Sequence, residues 1–268
     1  MVRLLAAFLA ILVPLGARAG VVVPVTSCGQ VVDRGQTGTL TGDLTCGDMW
    51  GSCQACASTW CPTIEPVTPC SGPADCPDPI VNQCGGGGGG TPSVGVFLVP
   101  GGRLELNGHT ISGAQIGIYG GRPDFTSSRG TIKVSGPGTI TATREAVRFY
   151  AARITGVTLR DNVWGITGSK VRLTDVDTSR NTIGASAFLS LRATGLVSDD
   201  NRYVGLLSYA GAKLTASHMT GNTVIDITTE RPPRLLDTVC GLSAVLEETG
   251  QPGIYDPTGP PWGVCTGD

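Results

Sequence analysis

The sequence is poor in charged and aromatic residues, which make up 15% and 5% of its 268 residues. The formal net charge is −2, and no basic stretch is interleaved with aromatic residues. We therefore predict no nucleic-acid partner, because neither charge attraction nor a base-stacking surface is expected. The chain has two histidines, no His-Glu-x-x-His motif and no calcium-loop pattern, so the sequence also predicts no metal site and no cofactor.

Long apolar runs are absent except at the N-terminus, where Leu4–Leu15 follows Arg3. This run is too short to span a membrane. It ends at a small-x-small pattern, Ala17-Arg18-Ala19, which is typical of a signal-peptide cleavage site. We predict a signal peptide over residues 1–19. The mature chain should have no membrane span and should be secreted, to the extracellular space or the periplasm.

What the sequence does contain is a fourfold repeat over residues 152–222, whose units end at Asn162, Asn181, Asn201 and Asn222. The spacings are 19, 20 and 21 residues (181−162, 201−181, 222−201), a period typical of solenoids and too short for helix-pair repeats. The 40 glycines and 18 prolines suit many short strands joined by turns. Each repeat is therefore predicted to form one coil of a β-solenoid.

Aligning the repeats on their asparagines gives one side-chain chemistry at each position. Apolar residues lie ten and eight positions before each Asn, and we predict that they face inward. They are Ala152, Val171, Leu191, Ala212, Ile154, Leu173, Ala193 and Leu214. Cations lie nine positions before the Asn and threonines seven, and both columns are predicted to face outward. The Asn itself is expected to adopt a left-handed or tightly bent conformation and to bond the amides of adjacent coils.

Degenerate copies of the repeat extend upstream. Lys133 joins the cationic column 20 residues before Arg153, and Glu105 is predicted to occupy the same column one coil earlier. The solenoid predicted over 95–230 has room for about six or seven coils, given the spacing of strands in a sheet.

Three segments resemble a known family. They are the C-G-x-x-V pattern beginning at Cys28, the L-T-G-D-L-T-C segment Leu40–Cys46 and the L-E-L-N-G-H-T-I-S-G segment Leu104–Gly113. Together with the repeats, they are similar to secreted bacterial right-handed β-helix repeat proteins of the pectin-lyase-like superfamily, over roughly 150 residues. The resemblance implies an all-β, right-handed parallel β-helix. It does not fix a function, because this architecture carries lyases, hydrolases, epimerases and adhesins.

The ten cysteines, an even number, favour disulfides in an exported chain. We predict that Cys28–Cys46 closes an N-terminal cap over 20–47 and that Cys240–Cys265 ties a C-terminal tail over 231–268 to the last coil. The other six lie in a predicted Cys- and Gly-rich insert over 48–94, and their pairing stays open. They are Cys53, Cys56, Cys61, Cys70, Cys76 and Cys84. Structural disulfides are favoured over a redox or zinc pair, and a recognition role for the insert is the alternative.

The cationic column is the predicted ligand-binding site. Its members are Lys133, Arg153, Arg172, Arg192 and Lys213. Like charges stacked along a sheet repel one another unless an anion offsets them, and an acidic polysaccharide could set one charge against each cation. The alternative is that the long side chains simply cover the strand surface and discourage edge pairing.

A catalytic alternative rests on four aspartates and a histidine on three successive coils. They are Asp175, Asp177, Asp199, Asp200 and His218, in an order similar to that of β-helical polygalacturonases. Their different distances from the Asn column predict that they lie partly on different faces, as solvated turn residues would. We therefore expect a monomeric, non-catalytic protein that binds acidic polysaccharide. The alternatives are a polysaccharide lyase or glycoside hydrolase, with Arg172 or Arg192 as a possible base, and a structural or adhesin-type surface protein.

Overall fold

The computed structural model of the chain describes residues 20–47, 93–125, 130–248, 255–257 and 259–268. Within these ranges all regular structure is β-strand, and no residue is helical. None of this described chain therefore offers an apolar helix of membrane-spanning length. The predicted signal peptide and the six cysteines of the predicted insert lie outside the described residues.

Short strands follow one another along the described chain. The first are β1 (Val21–Val25), β2 (Gln30–Val32), β3 (Gln36–Leu40), β4 (Leu44–Thr45), β5 (Val94–Leu98), β6 (Arg103–Glu105), β7 (Thr110–Ser112), β8 (Ile116–Tyr119), β9 (Thr131–Ser135), β10 (Thr139–Thr141), β11 (Glu145–Thr155) and β12 (Thr158–Arg160). The rest are β13 (Trp164–Thr174), β14 (Ile183–Thr194), β15 (Val204–Ser208), β16 (Ala212–Thr215), β17 (His218–Met219), β18 (Ile225–Thr229), β19 (Arg234–Leu236), β20 (Val239–Cys240), β21 (Ser243–Val245), β22 (Glu247–Glu248) and β23 (Tyr255–Asp256).

Parallel pairing arranges these strands in three stacks, which we call the first, second and third faces. The first face contains β1, β3, β6, β9, the second halves of β11, β13 and β14, and then β16 and β19. The second face contains β2, β5, β8, the first halves of β11, β13 and β14, and then β15, β18 and β21. The third face contains β4, β7, β10, β12, bridges at Asp177 and Val197, and then β17 and β20.

Each repeat thus contributes one segment to each face, and the pairing is mostly parallel. The antiparallel exception in the described chain is β22 with β23. This arrangement confirms the all-β, parallel-sheet prediction and is consistent with a β-solenoid. The right-handed sense, the number of coils and the domain boundaries stay predictions.

The interior of the stack is lined by the predicted inward columns. All eight of those residues are buried and belong to one continuous apolar cluster. In register, Ile154 lies beside Leu173, Leu173 beside Ala193, and Ala193 beside Leu214. The threonine column alternates with them, and Thr155 is exposed. The alternation of side chains along each strand therefore explains why one sequence column is buried and the next is solvated.

The four repeat asparagines form a hydrogen-bonded ladder inside the stack, as predicted. Asn162 donates its N–H and Nδ2 to Asn181 Oδ1 at 2.9 and 3.1 Å. The N–H of Asn181 donates to Asn201 Oδ1 at 2.8 Å, and that of Asn201 donates to Asn222 Oδ1 at 2.9 Å. The ladder ends where Asn222 Nδ2 donates to Asp226 Oδ1 at 2.6 Å. The backbone N–H of each of the first three asparagines therefore finds its acceptor in the side chain of the next repeat, as buried polar groups must find partners.

The left-handed residue of this turn is the one before the asparagine. Positive φ angles occur at Asp161 (58°), Arg180 (59°), Asp200 (54°) and Gly221 (69°), and the ladder asparagines are not among the positive-φ residues. Of the two predicted conformations, left-handed or tightly bent, the left-handed one was therefore wrong for the Asn. The preceding residue takes the strained conformation, and this leaves the Asn side chain directed inward, where it reaches the neighbouring repeats.

Disulfides close both ends of the described stack, and both predicted pairs are confirmed. Cys28–Cys46 and Cys240–Cys265 have Cα–Cα distances of 5.6 and 5.1 Å, within the usual range. Beside the second disulfide, the N–H of Thr266 donates to the Cys240 carbonyl at 3.1 Å. The C-terminal residues therefore lie against the last strand of the third face.

Candidate ligand-binding face

The structure places the predicted cationic column on consecutive strands of the first face. Lys133 pairs with Arg153, Arg153 with Arg172, Arg172 with Arg192, and Arg192 with Lys213. All five residues are exposed. Because neighbouring strands lie about 4.8 Å apart, successive backbone positions in this row are separated by roughly that distance.

The row is longer than the sequence predicted. Arg103 pairs with Lys133, and Arg234 pairs with Lys213, and both additional arginines are exposed. The prediction that Glu105 occupies this column was wrong, because Glu105 pairs with Ser135 in the neighbouring column. A shift of two residues keeps the same side chains inward, so the burial pattern alone does not distinguish the two registers.

We call these seven residues the cation ladder. They are Arg103, Lys133, Arg153, Arg172, Arg192, Lys213 and Arg234. Six strand spacings give the ladder a length of about 29 Å.

One acidic residue lies beside the ladder: Glu105, two residues after Arg103 on β6, occupies the neighbouring column. The ion pairs that the described residues form among themselves do not include any ladder cation. The backbone positions of neighbouring ladder cations are about 5 Å apart, less than the screening length of about 8 Å at physiological salt, so their charges repel one another unless the long side chains splay apart. The parallel column two residues further along each strand carries hydroxyl groups, at Ser135, Thr155, Thr174, Thr194 and Thr215. A row of cations beside a row of hydroxyls can bind a chain that carries both anions and hydroxyl groups.

Of the five candidate catalytic residues, the structure brings Asp199 and His218 into contact. His218 Nδ1 lies 2.9 Å from Asp199 Oδ2, and the side chains are 48% and 23% exposed. The N–H of Thr220 donates to Asp199 Oδ1 at 2.8 Å and holds the carboxylate in place. A carboxylate that orients an imidazole in this way prepares it for proton transfer.

The other three candidates lie apart from this pair. Asp177 is in the third face, two rungs from His218, and its Oδ1 accepts the N–H of Ser179 at 2.9 Å. Asp175 and Asp200 are exposed residues with positive φ, at the corners on either side of the third face. The described hydrogen bonds and ion pairs do not join the five residues into one cluster. In the same part of the chain, no group of three or more His, Cys, Asp or Glu side chains is placed to hold a metal ion.

A carboxylate that the sequence analysis missed lies on the second face. Glu145 pairs with Ile116 and Trp164, in a column that is otherwise apolar, and its side chain is 13% exposed. Burial raises the pKa of Glu145 above 4.5, while the Arg148 guanidinium, 3.2 Å away from Oε1, acts in the opposite direction. Glu145 Oε2 is enclosed, and within the described residues no hydrogen bond of ordinary geometry reaches it, although the Thr167 hydroxyl is near enough to lower the pKa. A single acid among apolar residues in one column is the sequence signal that would have revealed it.

No protein-family model, curated protein or solved structure matches this chain. The resemblance to the pectin-lyase-like superfamily therefore stays a prediction. The features that bear on the protein's function are the ladder, the Asp199–His218 pair and the remaining surface.

Proposed function

We propose that this protein is an exported, right-handed parallel β-helix that binds an acidic polysaccharide along the cation ladder without cleaving it. The observation that carries the proposal is the run of seven exposed cations on consecutive strands, none of them ion-paired within the described chain. Such a row repels itself, and a bound polyanion that sets a negative charge beside each cation relieves the repulsion.

A linear glycan suits this surface better than other polyanions do. The ladder follows seven consecutive strands over about 29 Å, which favours an extended chain over a compact anion. Its outer neighbours are hydroxyl groups rather than the aromatic side chains on which nucleic-acid bases stack. The two disulfides persist in oxidising compartments, where surface and matrix glycans occur.

The test is retention of the purified mature protein on immobilised polygalacturonate, alginate and a neutral glucan. Retention on the acidic glycans should fall as sodium chloride is added, because exposed charge contacts are screened. The double variant Arg172→Gln, Arg192→Gln should bind about tenfold more weakly, since two exposed charge contacts contribute roughly 0.7 kcal/mol each.

A matched control removes the same charge elsewhere. Arg160 and Arg180 are exposed and lie outside the ladder, at the third face and its corner. The double variant Arg160→Gln, Arg180→Gln should keep wild-type retention. Equal losses in the two double variants would assign binding to net charge and not to the ladder, and no retention of the wild type on any acidic glycan would refute the proposal.

Glycan cleavage is a second candidate function, and the hydrogen bond between Asp199 and His218 is the observation that favours it. The same incubations should then release new reducing or unsaturated ends. Changing Asp199 to Asn would leave His218 without its negatively charged partner and should abolish that release. Retention without new ends supports the non-catalytic proposal, and a protein that retains no glycan but adheres to cells would favour the structural alternative.

A further inference from the structure

A cavity of about 310 Å³ opens at the corner between the second and first faces. It extends from the end of β8 to the middle of β13, and four of its seven lining residues are aromatic, of which Tyr119 and Phe149 are only 7% exposed. The lining residues include Tyr119, Phe125, Arg148, Phe149, Tyr150 and Ser169. Its volume is at the lower end of the range for small-ligand pockets, which suits a single ring rather than a polymer.

The apolar wall of this cavity is held by specific contacts. The rings of Tyr119 and Phe125 pack with centroids 5.1 Å apart. The hydroxyl of Tyr119 donates to the carbonyl oxygen of Phe125 at 3.0 Å. Phe97 packs edge-on against both rings, with centroid distances of 6.0 and 5.8 Å. The wall is therefore built by packing inside the protein and does not need a ligand to form.

The charged group that lines the cavity is Arg148, which is ion-paired with Glu145 outside the lining residues. Arg148 lines the cavity, its side chain is 54% exposed, and its Nη1 lies 3.2 Å from Glu145 Oε1. A guanidinium has five N–H donors, so one contact to Glu145 leaves donors for a ligand. Because the charge of Arg148 is already balanced by a carboxylate, Arg148 would bind a ligand mainly by donating hydrogen bonds. This distinguishes the corner from the cation ladder, whose members have no acidic partner within the described chain.

An aromatic wall beside a few hydrogen-bond donors is the chemistry that a sugar ring requires. The C–H face of a pyranose packs on aromatic rings, and its hydroxyls accept hydrogen bonds from polar groups that fix its orientation. The position is also suitable, since Arg148 and the ladder residue Arg153 lie on the same strand, β11, within about 17 Å of each other.

We propose that this corner cavity binds one neutral pyranose ring, a terminal or branch residue of a glycan whose charged chain lies on the ladder. The proposal rests on the proposed function in taking a glycan as the ligand. It differs in chemistry, because recognition in the cavity comes from packing and hydrogen bonds, and binding there should be insensitive to salt.

The test measures binding of neutral methyl glycosides (gluco, galacto and manno) and of free glucuronic acid by saturation-transfer NMR, at low and high salt. At least one neutral glycoside should bind, with an affinity that salt does not change. Arg148→Gln should weaken this binding about tenfold, the equivalent of one lost charge-assisted hydrogen bond. Tyr150→Ala should also weaken it about tenfold, because it removes an aromatic contact. Arg231→Gln, an exposed arginine near the C-terminal end of the stack and outside the cavity, is the control and should bind normally.

Thermal unfolding checks that each variant is folded. Because Arg148→Gln and Tyr150→Ala change different sides of the cavity, either one still tests the proposal if the other does not fold. Three results would overturn the proposal: no binding of any neutral glycoside, binding unchanged in both variants, or binding confined to glucuronic acid and abolished by salt. Failure here is separable from failure of the ladder, because Arg148→Gln should leave the salt-sensitive retention on polygalacturonate within a factor of about two, the effect of one remote surface charge.

Discussion

The molecule contains two ladders that repeat one residue type from strand to strand, with opposite energetic consequences. The inner ladder has three buried asparagines and a partly buried fourth, and the backbone N–H of each of the first three donates to the side-chain oxygen of the next. The outer cation ladder is exposed, and its guanidinium and ammonium groups only donate, so its copies repel one another. Repetition stabilises the fold in the first case. In the second case repetition brings like charges together and does not stabilise the fold. We therefore assign a function to the outer ladder and not to the inner one.

The largest expected effect comes from breaking the inner ladder at its centre. In Asn181→Ala, the N–H of Asn162 loses its acceptor, and the carbonyls of Leu159 and Thr178 lose their donor. Three buried groups left without partners should reduce the free energy of unfolding by about 3 kcal/mol, measured by urea denaturation. The control Thr174→Ala, at an exposed position, should change it by less than about 0.5 kcal/mol. A loss below about 1 kcal/mol for Asn181→Ala would contradict the comparison.

Changes in the outer ladder should have a smaller effect on the free energy of unfolding, and in the opposite direction. Replacing Arg172 and Arg192 by Gln relieves repulsion between adjacent rungs, so stability at low salt should stay unchanged or rise by about 0.5 kcal/mol. Added salt should remove the gain, because it screens the same repulsion in the wild type. Urea denaturation at two salt concentrations measures both effects. A clear loss of stability would mean that the arginine stems stabilise the sheet by covering it and that the ladder is structural.

The smallest expected change in stability concerns the C-terminal end, where the Asp268 carboxylate accepts hydrogen bonds from Ser243, Val264 and Cys265. Partial burial by itself raises the pKa of Asp268, but hydrogen bonds from Ser243, Cys265 and Val264 together lower it below the ordinary 3.8. A lowered folded-state pKa means that the stabilisation is present above pH 3.8 and is lost as the pH falls through the lower value. Asp268→Asn should therefore be less stable than the wild type by under about 1 kcal/mol near neutral pH. The difference should shrink in acid, and a difference that is the same at pH 3 and pH 7 would contradict this.

The repeating part of the fold could be predicted from the sequence because aligned positions of the repeats carry either apolar or polar side chains, which indicates whether each position is buried. Residues such as Leu173 and Arg172 alternate in every repeat, so the inward and outward sides could be read without a structure. The register of Glu105 could not be read in this way, because Arg103 and Glu105 both lie on the outward side of β6 and either would leave Leu104 in the core.

The candidate site was predicted in part for the same reason. The five repeated cations were found by their spacing, but Arg103 and Arg234 lie outside the clear repeats and appear only through strand pairing. Glu145 and Arg148 were missed because their importance depends on burial and on a cavity formed by several strands. The one signal in the chain was the acid in an otherwise apolar column, and the cavity beside it leaves no periodic pattern.

The inner ladder also makes the length of the molecule adjustable. Since the backbone N–H of each of the first three asparagines is satisfied by the next repeat, one unit, residues 163–181, could be duplicated without leaving any asparagine unpaired. The duplicate would add one rung of about 4.8 Å and one cation to the outer row, while both disulfide-closed ends stayed as they are. The number of repeats between the two closed ends therefore sets the length of the cation ladder, and with it the length of polyanion that the ladder can contact.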